Sequence, residues 1–193
     1  RATQSGLVSP ETMKRATAVV FLLALVPGAY LVYRGGWPLV VIGLVSILCG
    51  ILYTAGPWPL GYIGVADLFV LVFFGPVAVG GTYYVQAQEL GWPSLVAGLA
   101  PGLLSVAILT VNNLRDIDTD RAAGKKTLAV RFGRRFARTE YVVCLLGACV
   151  VVPVLLWLGT AGHGPALLSV LALGMAVPAV RTVLTRTDGG ALN

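Results

Sequence analysis

Three oxygen-bearing side chains recur at one-turn intervals near the middle of this sequence: Asn112, Asp116 and Asp120, at i, i+4 and i+8. If the apolar helix before them continues through the stretch, an amide and two carboxylates share one face. Like charges four residues apart repel and weaken a helix, so the stripe makes most sense when a cation neutralises it. An all-oxygen face suits the hard ion Mg2+, which keeps waters and takes substrate phosphates as further ligands. The chemistry expected of these residues is therefore a diphosphate held through Mg2+. A solvated loop whose acids merely offset nearby arginines is the competing reading. Location favours the first, because the stripe closes a segment long enough to cross a bilayer, where ionisable residues are functional candidates. Asp118 falls off the stripe by helical geometry, and Arg115 is expected to pair with an acid.

The elements that must carry this stripe are apolar. Residues 113–138 hold 11 of the 22 charged side chains, while residues 35–114 hold only Asp67 and Glu89. With 57% hydrophobic and 11% charged residues, the 193-residue chain cannot cover itself with the charged surface of a soluble domain. Its mean hydropathy of +0.85 says the same. A spanning helix needs about 20 apolar residues. Six such segments are expected, over about 16–33, 37–54, 67–86, 92–111, 140–158 and 165–183, in a single membrane domain with a loop at 112–139. The expected class is an all-α, polytopic transmembrane helix bundle in the lipid bilayer.

Ser9-Pro10-Glu11 reads as a helix start, with Ser9 as N-cap and Pro10 at the first helical position. Tyr33 and Trp37 read as interface anchors. Tyr53 to Gly64 is too rich in Pro and Gly for a helix and forms a loop carrying the aromatics Tyr53, Trp58 and Tyr62. Phe73-Phe74-Gly75-Pro76 and Gly80-Gly81 predict a kink or a close helix approach.

Alternating the spans puts thirteen Lys and Arg on one side and only Arg34 on the other. The positive-inside rule makes the first side cytoplasmic, in the cell membrane, with the acid stripe and the aromatic loop both on it. The net charge of +6 belongs to that rule, not to nucleic-acid binding, since no aromatic stacking platform accompanies the basic run. Cys49, Cys144 and Cys149 lie in apolar segments as packing residues, and His163 has no partner at ligand spacing. No signal-peptide pattern opens the chain, which begins on Arg1 inside a polar phrase, so further sequence is expected upstream. Nothing in the residues sets an oligomeric state.

Asn112-Asn113-Leu114-Arg115-Asp116-Ile117-Asp118-Thr119-Asp120-Arg121, followed by Gly124-Lys125-Lys126-Thr127-Leu128-Ala129-Val130-Arg131-Phe132-Gly133, resembles the second aspartate-rich motif of the UbiA superfamily of membrane aromatic prenyltransferases. The double Asn and the Gly-Lys-Lys-Thr-Leu phrase are similar to its 1,4-dihydroxy-2-naphthoate polyprenyltransferase branch. The Tyr53–Gly64 loop, with Asp67 and Phe73-Phe74-Gly75 after it, resembles the same branch. So does the opening Arg1–Pro10 phrase, which resembles the stretch just after that branch's first aspartate-rich motif.

The resemblance implies a bundle around a central cavity open near the cytoplasmic side. It also implies six spans of an expected nine, with the first aspartate-rich motif and the flanking helices lying outside this chain. It implies transfer of a polyprenyl group from a polyprenyl diphosphate to an aromatic acceptor, 1,4-dihydroxy-2-naphthoate, with loss of its carboxylate as carbon dioxide in menaquinone biosynthesis. Asp116, Asp120 and Asn112 would hold Mg2+, and Asp116, Asp120 and Lys125 would be catalytic. Asn112, Asn113, Lys126, Arg131, Tyr53, Tyr62 and Asp67 would meet the substrates, the aromatic loop shielding an allylic cation. Each also has a plain reading: basic residues follow from the positive-inside rule, aromatics from the interface belt, and Asp67 from a helix N-terminus.

Two alternatives stay open. Homogentisate or 4-hydroxybenzoate would serve the same chemistry as acceptor. An ion-coupled transporter subunit would also bind a cation through membrane acids, although transporters place them at mid-membrane, not beside a basic cluster.

Overall fold

A computed structural model describes residues 6–54, 59–160 and 162–186. Trp58 and the opening Arg1–Ser5 lie outside them. The described residues are helical, with six helices or helix pairs long and apolar enough to span a membrane: Pro10–Gly35, Trp37–Thr54, Ala66–Ala87, Trp92–Arg115, Leu128–Gly159 and Gly164–Thr185. The all-α membrane architecture read from composition is the architecture found.

By internal contacts the chain forms two compact units, Arg1–Val45 and Ser46–Asn193. The first holds helix α1 (Pro10–Gly35) and the start of α2 (Trp37–Thr54). Ser9 caps α1 as its sequence predicts, its hydroxyl accepting from the Thr12 N–H at 3.1 Å, and Pro10 follows where no N–H is needed.

The second unit carries the chemistry. In it α3 (Ala66–Val72) passes through a π-turn at Phe73–Val77 into α4 (Ala78–Ala87). Gly75 is non-helical there, at φ −108° and ψ −111°, and Pro76 follows it. The kink lets backbone meet backbone. A Cβ on Gly102 of α5 (Trp92–Arg115) would stand 2.6 Å from the Leu71 carbonyl oxygen, and one on Gly98 would stand 2.9 Å from Pro76. In a bilayer, where helices gain nothing by hiding from water, such close contact is what holds them together.

The segment expected as a loop at 112–139 is mostly helix: α6 (Ile117–Ala122), a turn through Gly124, then α7 (Leu128–Leu146), bent at Gly133. Alternation of charge with small apolar residues hid this, since Ala129 and Ala137 turn inward while Arg131 and Arg135 are exposed. A π-turn at Gly147–Val151 leads to α8 (Val152–Gly159). A 3-10 segment at Gly164–Val170 then leads to α9 (Leu171–Thr185).

The core joins α5, α6, α7 and α9 through Val106, Leu114, Ile117, Tyr141, Leu145 and Val183. Arg138 of α7 donates to the carbonyls of Val183 at 3.0 Å and Arg186 at 2.9 Å, placing a cation on the free C-terminal carbonyls of α9. Outward-facing side chains such as Leu158, Leu171 and Met175 are exposed, as a lipid-facing surface requires. The three cysteines are free thiols, and His163 Nδ1 meets the Thr160 hydroxyl at 2.8 Å in the turn before α9.

Candidate functional site

Helix α5 delivers the acid stripe. It ends at Arg115, because Asp116 leaves helical geometry at φ −95° and ψ 10°, and α6 restarts at Ile117. The hydrogen-bond ladder nevertheless survives the break. The Asp116 N–H donates to the Asn112 carbonyl at 3.0 Å, and the Asp120 N–H donates to the Asp116 carbonyl at 2.8 Å. The three stripe residues thus stay one turn apart.

Each carboxylate of the stripe has a cation. Arg115 grips Asp116 with two parallel bonds, Nε to Oδ1 at 2.8 Å and Nη2 to Oδ2 at 3.0 Å, the fork geometry that guanidinium suits. Asp120 is buried, and the Lys125 ammonium meets its Oδ1 at 2.5 Å. Gly124, at φ +72°, makes the tight turn that brings Lys125 back to Asp120, and the Lys125 N–H donates to the Asp120 carbonyl at 2.9 Å. Asp118 is turned away, exposed, and held by Arg134 Nη2 at 2.8 Å.

The aromatic loop docks against the basic run, so the two regions expected on the same face do meet. The Lys126 N–H donates to the Tyr62 carbonyl at 2.8 Å, and Arg131 Nη2 donates to the Ile63 carbonyl at 2.8 Å. Lys125 Nζ stands 5.3 Å from the centre of the Tyr62 ring, a cation–π contact. Gly64, at φ +81°, closes the junction: a Cβ there would stand 2.6 Å from the Lys126 carbonyl oxygen. Arg131 therefore acts here as a strut for the loop, whereas the Lys126 side chain is exposed beside it. Tyr53 closes α2, its carbonyl accepting from the Gly61 N–H at 3.1 Å.

Below the stripe, a groove of about 760 Å3 runs between α5, α7 and α9. Asn112 and Arg115 line it alongside Leu104, Ile108, Val111 and Leu145. An amide and a cation meet an apolar trough, the polarity of a molecule with a charged head and a hydrocarbon tail. Asn113 is half-buried.

One turn before the stripe lies a feature the sequence does not announce. Asp67, in the first turn of α3, is buried, and among the described residues neither of its carboxylate oxygens has a hydrogen-bond partner. The side chain is therefore not the N-terminal cap its position suggests. Glu140 of α7 lies close enough for the two acids to feel each other's charge, with Thr110 of α5 beside it. Glu140 reads from sequence as the opening residue of a span, and only folding brings it to Asp67. The one signal available is that it is an acid inside a helix otherwise turning apolar.

A model of the UbiA prenyltransferase family matches residues 1–192. The chain belongs to that family. A 1,4-dihydroxy-2-naphthoate octaprenyltransferase of Escherichia coli is 40% identical over 156 residues, 78% of this chain and 51% of that protein. A protein of the same name from Mycobacterium tuberculosis is 41% identical over 156 residues, 81% of this chain and 53% of its own length. UbiA prenyltransferase domain-containing protein 1 of Mus musculus is 32% identical over 158 residues, 80% of this chain and 47% of its own. This UbiA family chain thus spans about half the length of the curated relatives it matches. Six membrane-spanning helices in a UbiA family chain make it multi-pass in the bilayer.

Proposed function

We propose that the protein transfers a polyprenyl group from a polyprenyl diphosphate to an aromatic acceptor, 1,4-dihydroxy-2-naphthoate, giving the prenylated naphthoquinol of menaquinone biosynthesis. The observation that carries this reading is the end of α5, where Asn112, Asp116 and Asp120 stay one turn apart while Asn112 and Arg115 line an apolar groove. The names of the relatives supply the acceptor.

Asn112, Asp116 and Asp120 would hold Mg2+. Their all-oxygen donor set fits that ion. One amide and two carboxylates would leave coordination places for water and phosphate oxygens, as Mg2+ prefers. When bound, the ion neutralises charge on the departing diphosphate, which is what ionisation of an allylic diphosphate requires.

The chain's own residues do the rest. Arg115 and Lys125, which neutralise the two acids in this structure, are the cations nearest the diphosphate, and Lys126 adds charge beside them. Tyr62 already offers its ring face to a cation, and the same face would shield the allylic carbocation. Leu104, Ile108 and Val111 would carry the prenyl chain. Arg131 and Gly64 hold Tyr62 in place over the stripe. By the positive-inside rule the stripe faces the cytoplasm across the cell membrane.

The test is prenyl transfer by the full-length protein in liposomes, with each of 1,4-dihydroxy-2-naphthoate, homogentisate and 4-hydroxybenzoate as acceptor, with Mg2+ and with EDTA. Mg2+-dependent product from the naphthoate alone supports the reading. Product from another acceptor reassigns the substrate, and no product from any of the three sinks it.

A further inference from the structure

The inner acids need an occupant. Asp67 is 8% exposed and Thr110 1% exposed. The two carboxylate oxygens of Asp67 and the hydroxyl oxygen of Thr110 are buried without a hydrogen-bond partner among the described residues. None of the ion pairs among those residues reaches Asp67 or Glu140. A buried polar group without a partner costs about 1–3 kcal/mol, more when charged. Two neighbouring acids with a hydroxyl beside them, held on three different helices and with the Asp67 oxygens unsatisfied, are therefore a site waiting for donors.

We infer that Asp67, Glu140 and Thr110 seat the hydroxyl groups of the aromatic acceptor. The inference rests on the prenyl-transfer reading and names the acceptor's place within it.

Chemistry selects this occupant over others. Carboxylates only accept hydrogen bonds, so the ligand must donate, which excludes the diphosphate. A flat ring carrying two phenolic hydroxyls supplies donors at its rim and apolar faces for the helices around it.

Distance agrees. Thr110 precedes Asp116 by six residues of α5, about 9 Å along the axis at 1.5 Å per residue. That span accommodates a diphosphate at the stripe, its first prenyl carbon, and a ring carbon about 3–3.5 Å beyond it, the separation of a near-attack pair. The loop and helix segments that run between the two places, 62–67 and 110–120, are continuous, so the acceptor seat and the diphosphate seat are built on shared elements.

The experiment measures binding and turnover separately in the full-length protein, purified in detergent. Binding of 1,4-dihydroxy-2-naphthoate, kept reduced, is compared with that of 1-hydroxy-2-naphthoate and 2-naphthoate, for the wild type and for Asp67→Asn, Glu140→Gln and Thr110→Val. Farnesyl diphosphate binding is the parallel measurement. The wild type should lose about tenfold in affinity with each hydroxyl removed, the loss expected for a hydrogen bond to a charged group. The variants should lose about tenfold for the dihydroxy compound, bind 2-naphthoate as the wild type does, and keep farnesyl diphosphate affinity.

A wild type indifferent to the hydroxyls overturns the inference even if no variant folds. Variants that lose both ligands together overturn it too, because that is the signature of a structural role. Naphthoate binding with this pattern but no prenyl transfer would sink the functional reading and leave the seat standing. Prenyl transfer with unchanged discrimination in the variants would do the reverse.

Discussion

Four acids in this chain sit in two opposite electrostatic situations along α5. At its end, Asp116 and Asp120 each hold a cation, Arg115 and Lys125. On its buried side, Asp67 and Glu140 hold none among the described residues, and Asp67 has no hydrogen bond either. The difference teaches what each place is built to receive. A paired acid can exchange its own cation for a bound one and stays neutralised throughout, which suits a site that loads a metal and an anionic head. An unpaired buried acid has already lost its water and gains it back only from a donor ligand.

Turnover should separate the two places most sharply. Asp116→Asn is expected to lower kcat by roughly 100-fold or more, the scale on which losing one electrostatic stabiliser of a transition state registers. Stability should hardly move, because the Arg115 pair is half-exposed and such pairs contribute at most about 1 kcal/mol. A steady-state assay with and without added Mg2+ reads the first, and thermal unfolding in detergent the second. A variant with wild-type kcat would remove the stripe from the mechanism.

Folding stability should then change with opposite sign in the two regions. Asp120→Asn strands the Lys125 ammonium in a pocket where it is 14% exposed, and about 3 kcal/mol should be lost on breaking such a buried pair. Glu140→Gln removes a charge that repels Asp67, so the fold should be unchanged or gain up to about 1 kcal/mol. Denaturant unfolding in mixed micelles compares them. Equal losses in both would mean that Glu140 is held by a partner, and the contrast between the regions would vanish.

Which of this could be read in advance follows from how far apart in sequence the partners lie. The six spans were legible because twenty apolar residues in a row leave little choice, and the kink because Gly75-Pro76 cannot continue a regular helix. The stripe was legible because its residues are neighbours on one helix. That Asp116 would end α5 was not, since a helix break one residue long leaves no pattern. The Asp120–Lys125 pair depends on Gly124 at positive φ, a turn that separates the two by five residues instead of a helical three or four. Asp67 and Glu140 come from α3 and α7, and no local rule pairs them. Glu140 in particular hid as the residue expected to open a span, a place where a single acid is ordinary.

A smaller effect should come from the packing that sets the two regions apart. Gly98, Gly102, Val106, Thr110 and Leu114 form the buried edge of α5, whereas Leu104, Ile108, Val111 and Asn112 line its groove. Gly102→Ala presses a methyl group onto the Leu71 carbonyl, 2.6 Å away, and α3 must shift. Overpacking of this kind costs about 1–3 kcal/mol. Because α3 carries Asp67, the acceptor KM should rise several-fold while the KM for the diphosphate stays put. Gly81→Ala, where a Cβ meets nothing within 4 Å, is the control that should leave both unchanged. A rise in both constants for Gly102→Ala would show the two seats to be mechanically one.

The smallest expected effect lies where the regions join. Arg131 holds the Ile63 carbonyl through Nη2, and the segment it ties down runs from Tyr62 beside Lys125 to Asp67. Arg131→Gln removes that bond while keeping a polar side chain, a loss of about 1 kcal/mol for an exposed contact. The Lys126–Tyr62 backbone bond remains, so the loop should loosen without undocking. Tyr62 would then cover the stripe less of the time, and hydrolysis of the prenyl diphosphate by water should rise relative to transfer by about two- to fivefold, the range that 1 kcal/mol allows. The ratio of free prenyl alcohol to prenylated product measures it directly. An unchanged ratio together with a raised acceptor KM would place the contribution of Arg131 at Asp67 instead, making the loop a support for the inner seat and not a cover for the outer one.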